Sequence, residues 1–253
     1  RKEGAARFGL LPGRAEKYGT DFAILTGDVQ QAWASDVLLR STDRGVSPET
    51  ALAMARRMQS FLNRELISGE ALDVEFEYRK VLPPKAEVID MIRGKTGALL
   101  AFSAECGAMT GLDTPDWTAN PVAALSEFAS ELGYAFQLCD DLLGVYGDEA
   151  KFGKPLCSDF REGKPTVLYL EALERLTESG RAELAALMKR PAYAEADIAK
   201  IRSLLEECGA RAAVVRAAEE SSDKAMANLA SLPGTKYRSL LEELAEELLK
   251  RNV

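Results

Sequence analysis

Apolar residues recur along this chain at the three- to four-residue spacing of amphipathic helices, and the strict alternation of half-buried strands is almost absent. In the second half of the chain the pattern predicts helices over residues 181–189, 197–207, 210–229 and 236–251. In the first half, Ser47 stands before Pro48 and Glu49, which predicts a helix with Ser47 as its N-cap.

Proline and glycine divide these helices from one another. Breaks are predicted at 83–84, 113–115 and 120–121, and a loop-rich connection is predicted over 147–165. No shift of composition separates two units, so we predict one domain over residues 1–253. The fold class predicted from this pattern is all-α, as a single helical bundle.

One helix carries an Asp-Asp pair. At about 100° per residue with Phe136 at 0°, a predicted buried stripe within roughly 60° contains Leu125, Ala129, Leu132, Cys139 and Leu143. Asp140 falls at about 40°, at the edge of this stripe, whereas Gln137 and Asp141 lie at about 100° to 140°. A carboxylate in apolar surroundings is costly unless it is paired or bound to metal. Asp140 and Asp141 are therefore candidate Mg²⁺ ligands, with a solvated acidic turn or an N-cap as the alternative.

Three lysines follow this helix, and each has Gly or Pro nearby: Lys151, Lys154 and Lys164. The Gly-Lys-Pro sequences around Lys154 and Lys164 predict ordered turns, which are suited to hold a cation beside a phosphate. A phosphate-binding P-loop does not fit. Five residues rather than four separate Gly147 from Gly153, and Pro155 takes the place of the Ser or Thr that holds Mg²⁺.

A second cluster lies earlier, at Lys95 and Thr96. Relative to Ile92 at 0°, Leu99 falls at about −20°, Thr96 at about 40° and Lys95 at about −60°, so the pair is predicted to project from the apolar face of a helix. The simpler interpretation is a lysine that extends to solvent beside a core threonine. If this helix faces the Asp-Asp helix, the pair becomes a phosphate contact.

Composition narrows the function further. The net charge is 32 − 40 = −8, which argues against a general nucleic-acid-binding protein. The four cysteines lack the spacing of a metal site and are predicted to be reduced thiols. No signal peptide or apolar membrane span is visible in the sequence, so a cytoplasmic location is expected. The chain contains no histidine, which excludes Ser-His and Cys-His nucleophilic machinery.

Together these segments resemble the polyprenyl synthetase family, the trans-isoprenyl diphosphate synthases, over roughly Tyr18 to Leu170. The matching pieces are 94–96, 136–141, 153–155, 158–159 and 161–164. The resemblance implies the isoprenoid synthase fold, with a central cavity and usually a homodimer, and a need for Mg²⁺. It implies that Asp140 binds the metal and that Asp141 supports metal-bound water.

The resemblance also assigns roles around the substrate. Phe136 and Gln137 form the Phe-Gln pair that precedes the family's second Asp-rich motif. Lys95, Thr96, Gln137 and Lys154 would surround the allylic diphosphate and its developing cation, and Lys164 matches a downstream position near the substrate. The catalytic residues expected on this basis are Lys95, Thr96, Gln137 and Asp140.

Two departures from the family pattern stand out. The third aspartate of the second motif, Asp-Asp-x-x-Asp, is Gly144 here. The family's earlier Asp-rich motif, its paired arginines and its basic Gly-Lys-x-x-Arg site are also missing, so the chain is expected to lack the N-terminal helices of the family.

The implied reaction condenses isopentenyl diphosphate with an allylic diphosphate. The expected product is geranylgeranyl diphosphate, with farnesyl diphosphate next. The alternative interpretation is a non-catalytic subunit that modulates a partner synthase, which the missing first motif and Gly144 motivate. A terpene cyclase of the same fold is a weaker third interpretation, because the segments at Lys154 and Lys164 resemble the chain-elongating enzymes.

Overall fold

The computed structural model describes residues 2–148 and 155–250. Every regular element in these residues is helical, which confirms the predicted fold class. The α-helices are α1 Lys2–Phe8, α2 Pro12–Leu39, α3 Pro48–Arg57, α4 Asn63–Tyr78, α5 Lys85–Ile92, α6 Ala98–Leu112, α7 Asn120–Tyr146, α8 Ser158–Glu162, α9 Val167–Arg175, α10 Glu178–Ala186, α11 Glu195–Glu207, α12 Ala210–Ala230 and α13 Lys236–Lys250.

Side-chain caps explain where several helices begin. The hydroxyl of Ser47 accepts a hydrogen bond from the amide of Thr50, so the predicted N-cap of α3 is confirmed. Helix α10 begins earlier than predicted because Thr177 caps it by accepting from the amide of Gly180. Helix α11 also begins two residues early, where the carboxylate of Asp197 accepts from the amide of Ala194. The loop-rich connection contains the short helix α8.

Helix α7 is the centre of the bundle, packed against α6 and α12 along much of its length and against α9 and α13 at other points. It is therefore buried on several sides, and its buried residues include Ala135, Leu138, Leu142 and Val145, which lie outside the predicted stripe. The single-stripe prediction was wrong in extent: Leu125, Phe136 and Leu143 are only half-buried and Asp140 is exposed. A helix enclosed by several neighbours cannot be described by one apolar face.

Two π-turns interrupt the helical phase, at Met58–Leu62 between α3 and α4 and at Arg93–Gly97 between α5 and α6. A π-turn adds about one residue to a helical turn, so side chains beyond it rotate away from the face that a 100° count predicts. Leu99 follows the second π-turn and is exposed rather than buried beside Ile92. The expectation of one apolar face from 92 to 99 was therefore wrong.

Glycines allow the second π-turn to lie between two helices. On one side, a Cβ at Gly94 would lie 2.7 Å from the carbonyl oxygen of Glu65 in α4. On the other side, a Cβ at Gly133 in α7 would lie 3.1 Å from the Cα of Gly97. Lys95 and Thr96 lie between Gly94 and Gly97 in the sequence. The turn that carries them therefore packs against α4 on one side and against α7 on the other.

None of the four cysteines forms a disulfide, which agrees with the prediction of reduced thiols. Within the described residues, no helix combines the length and the apolar character needed to cross a bilayer.

Candidate active site

A cavity of about 300 Å³ opens between α4, the second π-turn, α7 and the segment 159–166. Its lining is predominantly polar and charged around an apolar floor, and consists of Asp73, Val88, Met91, Ile92, Lys95, Thr96, Gln137, Asp140, Asp141, Asp159, Lys164, Pro165 and Thr166. Six of the residues predicted from sequence therefore share one cavity: Lys95, Thr96, Gln137, Asp140, Asp141 and Lys164.

The side chain of Lys95 is 35% exposed, but its ammonium group is held by two carboxylates rather than extended freely into solvent. Its Nζ lies 2.7 Å from Oδ2 of Asp73 and 3.0 Å from Oε2 of Glu70, both on α4. Burial alone would lower the pKa of Lys95, but the hydrogen bonds to Asp73 and Glu70 more than offset this effect and raise the pKa above its usual value. The ammonium group is therefore charged and held at the wall of the cavity.

Thr96, Gln137 and Asp141 form a chain of hydrogen bonds across two helices. The hydroxyl of Thr96 donates to Oε1 of Gln137 at 3.3 Å, and Nε2 of Gln137 donates to Oδ1 of Asp141 at 3.0 Å. Oδ1 of Asp141 accepts this bond whether or not the other oxygen carries a proton, so Asp141 sets the amide orientation and turns Oε1 of Gln137 toward Thr96. The condition stated from the sequence, that the segment of Lys95 and Thr96 faces the Asp-Asp helix, is met in this geometry.

The two aspartates of the pair have opposite environments. Asp140 is exposed at the cavity, whereas Asp141 is buried, with 6% of its surface exposed. Desolvation and the neighbouring carboxylate of Asp159 raise the pKa of Asp141 to about 8. The prediction that Asp140 lies at the edge of the buried stripe was wrong, because the exposed sector of α7 faces the cavity at Asp140.

Asp159 lies beside the position where the motif lacks its third aspartate. A Cβ at Gly144 would lie 3.4 Å from Oδ2 of Asp159, an ordinary van der Waals contact. The backbone holds this arrangement, because the amide of Cys157 donates to the carbonyl of Gly144 at 2.7 Å just before α8 begins. The carboxylate of Asp159 is thus brought to the same cavity as Asp140 and Asp141.

Lys164 reaches the cavity from an ordered turn, as predicted. Gly163 has φ of 76°, and the amide of Lys164 donates to the carbonyl of Asp159 at 2.9 Å. The Nζ atom of Lys164 lies 3.0 Å from Oε2 of Glu162. Burial opposes the charge of Lys164, but Glu162 and Asp73 together raise its pKa above the usual value.

Other predicted residues are not part of this geometry. Phe136 is half-buried and does not line the cavity, because it precedes Gln137 by one position and so projects from another side of α7. Lys151 and Lys154 lie outside the described residues.

Sequence reasoning gave no role to four acidic residues at the site: Glu70, Asp73, Asp159 and Glu162. A signal for the first two existed, since Glu70 and Asp73 are three residues apart and share one face of a helix. Nothing local to the sequence indicated which lysine this face would meet.

The carboxylates of Asp140 and Asp141 suit a hard cation that also keeps water and phosphate oxygens as ligands. Within residues 2–148 and 155–250, no group of three or more His, Cys, Asp or Glu side chains is close enough to hold a metal by itself. Mg²⁺ binds through one or two carboxylates together with waters and phosphate oxygens, so Asp140 and Asp141 with a phosphorylated ligand fit its requirements. Buried Asp141 beside Asp159 is also an arrangement that a cation would stabilise.

Solved structures share this fold. A geranylgeranyl pyrophosphate synthetase from Pyrococcus horikoshii matches with a TM-score of 0.81 at 31% identity, covering 92% of this chain and 68% of that chain. A geranylgeranyl pyrophosphate synthase from Corynebacterium glutamicum, complexed with isoprenyl diphosphate and magnesium, matches with a TM-score of 0.79 at 29% identity. This match covers 98% of the present chain and 68% of that synthase.

Curated relatives agree with the structural matches. A geranylgeranyl diphosphate synthase of Sulfolobus acidocaldarius is 39% identical over 171 residues, which is 66% of this chain and 49% of that protein. The chain spans about half the length of the first curated relatives it matches. The polyprenyl synthetase family model matches residues 12–205, across both walls of the cavity. The chain belongs to the polyprenyl synthetase family.

Proposed function

We propose that this protein is a prenyltransferase that condenses isopentenyl diphosphate with an allylic diphosphate and forms a linear polyprenyl diphosphate. The observation that carries this proposal is the convergence of two lysines, a Thr-Gln pair and the carboxyl groups of four aspartates on one cavity of about 300 Å³. Family membership and the similarity to geranylgeranyl diphosphate synthases support it.

The diphosphate end of the allylic substrate is the part that the charged residues suit. Lys95 and Lys164 both line the cavity and both remain charged, so they can donate to diphosphate oxygens as the negative charge of the leaving group builds. We propose that Asp140 and Asp141 hold Mg²⁺, which would neutralise part of that charge when bound. Lys154 is proposed to join this group from outside the described residues.

The cationic end of the substrate suits the Thr-Gln pair. The hydroxyl of Thr96 and Oε1 of Gln137 present oxygen atoms to the cavity wall, and Asp141 fixes the amide so that its oxygen faces this way. These dipoles would stabilise the allylic cation, and the apolar floor formed by Val88, Met91 and Ile92 would limit water there.

The proposed step is balanced without an enzyme nucleophile. The allylic C–O bond breaks and releases diphosphate, and a C–C bond forms to the double bond of isopentenyl diphosphate. The proton lost from the new chain passes to the released diphosphate. The absence of histidine from the sequence is compatible with this step, since no side-chain base is required.

We propose geranylgeranyl diphosphate as the product, and farnesyl diphosphate as the next candidate. Relatives named geranylgeranyl and farnesyl diphosphate synthases support products in this range. We also propose that the protein is a homodimer, as the family resemblance implies. A cytoplasmic location is supported by the lack of disulfides among the four cysteines, and the lack of a nucleic-acid partner by the net charge of −8.

The test is an assay of the purified protein with isopentenyl diphosphate and geranyl or farnesyl diphosphate, with and without Mg²⁺, and with products measured by mass spectrometry. Metal-dependent elongation would support the proposal and give the chain length. A cyclic hydrocarbon from the allylic substrate alone would indicate a terpene cyclase instead. A folded protein that gives no product, but stimulates an active synthase, would indicate the non-catalytic subunit.

A further inference from the structure

Asp73 occupies a position at the cavity that the proposed reaction does not yet use. It lies on α4, lines the cavity and places Oδ2 2.7 Å from Nζ of Lys95. The side chain of Asp73 is 15% exposed, whereas Glu70, the other partner of Lys95, is 56% exposed. The contact with Asp73 is thus the one shielded from solvent, where an ion pair is least screened.

An ammonium group has three N–H donors, and Asp73 and Glu70 account for two of them. The third donor of Lys95 remains for a ligand in the cavity. Two acceptors on the same helix, three residues apart, restrict a flexible lysine side chain to one direction. Asp73 is the shielded acceptor of this pair, so it has the greater control of that direction.

Asp73 also acts on the second lysine. Its charge contributes to raising the pKa of Lys164, which approaches the cavity from the segment after α8. The carboxylate therefore lies within electrostatic range of both lysines. Two ammonium groups that flank one cavity repel each other, and a carboxylate close to both reduces that cost.

We propose that Asp73 is a positioning residue that aims Lys95 at the diphosphate of the allylic substrate. This proposal rests on the proposed prenyltransferase function, and its test is designed to separate the two. Asp73 contacts Lys95 directly and reaches Lys164 only through its charge, so most of the effect of removing the carboxylate is expected to require Lys95.

The chain offers a matched control outside the cavity. Lys85 is held in the same way, 2.7 Å from Glu171 and 2.6 Å from Glu174, and these two side chains are 13% and 55% exposed. Lys85 and its two partners do not line the cavity. Glu171→Gln therefore removes a similarly shielded carboxylate from a similar lysine without touching the site.

The first measurement is binding of inorganic diphosphate in the presence of Mg²⁺, by titration calorimetry, because it needs no turnover. Asp73→Asn is expected to weaken diphosphate binding about tenfold, and Glu171→Gln to change it less than twofold. Asp73→Glu keeps the charge but lengthens the side chain, so an intermediate loss is expected. In a Lys95→Ala background, Asp73→Asn should cause less than a twofold further change.

The second measurement is steady-state kinetics. Asp73→Asn should raise KM for the allylic diphosphate about tenfold and change KM for isopentenyl diphosphate less than twofold. General damage to the fold would move both constants. Diphosphate binding unchanged in Asp73→Asn, or an equal loss with and without Lys95, would overturn the positioning role. Loss of diphosphate binding in these variants together with an inactive wild type would overturn only the prenyltransferase proposal.

Discussion

Gly69 and Gly94 bring α4 into backbone contact with the π-turn that carries Lys95: a Cβ at Gly94 would lie 3.2 Å from the Cα of Gly69. A Cβ at Gly69 would lie only 2.4 Å from the backbone nitrogen of Lys95. This approach sets the distance between the helix that supplies Asp73 and the turn that supplies Lys95. The geometry of the ion pair is thus built into the backbone.

Gly69→Ala is expected to destabilise the protein by about 1–3 kcal/mol or more, because the atoms in conflict are backbone and cannot rotate away. It should also weaken diphosphate binding, since the Lys95 turn must move. Gly107→Ala is the control, because nothing lies within 4 Å of a Cβ there and the residue is exposed in helix α6. That variant should be stabilised by about 0.5–1 kcal/mol. Urea denaturation measures both, and equal stability of the two variants would contradict the close crossing.

The bundle and several helix ends could be predicted from sequence because spacing and caps act locally, as at Ser47 in α3. The side on which Leu99 projects could not be predicted. The π-turn before it depends on close backbone contacts that two glycines make with two different helices. A uniform 100° count carries no information about such a turn. The Lys95-Thr96 pair was still identified, because both residues lie within the turn itself.

Asp140→Ala is expected to lower Mg²⁺-dependent turnover by at least about 10²-fold while leaving the thermal midpoint within about 2 °C of the wild type. The physical reason is that Asp140 is exposed at the cavity and supports no core contact, yet it is a proposed metal ligand. Asp223→Ala, an exposed aspartate of α12, is the control and should retain activity. Near-normal activity of Asp140→Ala would remove it from the metal site.

Gly144→Asp restores the family's motif but is expected to destabilise this protein. A Cβ at Gly144 would lie 3.4 Å from Oδ2 of Asp159, so a new carboxylate would join two carboxylates, Asp159 and buried Asp141. Gly144→Asn matches the shape without the charge and should be more stable than Gly144→Asp. Thermal denaturation in EDTA measures the difference. A Gly144→Asp variant as stable as Gly144→Asn would show that Asp159 does not restrict this position.

The candidate site was predictable where a motif is continuous in sequence and not where the fold assembles it. Lys95, Gln137 and Lys164 were found because each lies in a recognisable segment. Asp73 comes from a helix whose sequence gives no sign of its lysine partner. Asp141 is buried and Asp140 is not because several helices surround α7. A single apolar stripe read from the sequence does not reveal the number of these neighbours.

Asp141 predicts a pH dependence of stability. Desolvation and Asp159 raise its pKa from an ordinary 3.8 to about 8 in the folded state. Between these values the native protein holds a proton that the unfolded chain has released, so the free energy of unfolding decreases as pH rises through this window. The loss from this one group is at most about 1.4 kcal/mol per pH unit.

Asp141→Asn should remove this loss and retain the contact, because an amide oxygen can still accept from Nε2 of Gln137. Urea denaturation in EDTA at pH 5 and pH 7.5 measures the free energy of unfolding of both proteins. The variant is expected to be the more stable at pH 7.5, by an amount that shrinks toward pH 5. A parallel pH dependence in the two proteins would show that Asp141 is ionised in the native state and that another group causes the trend.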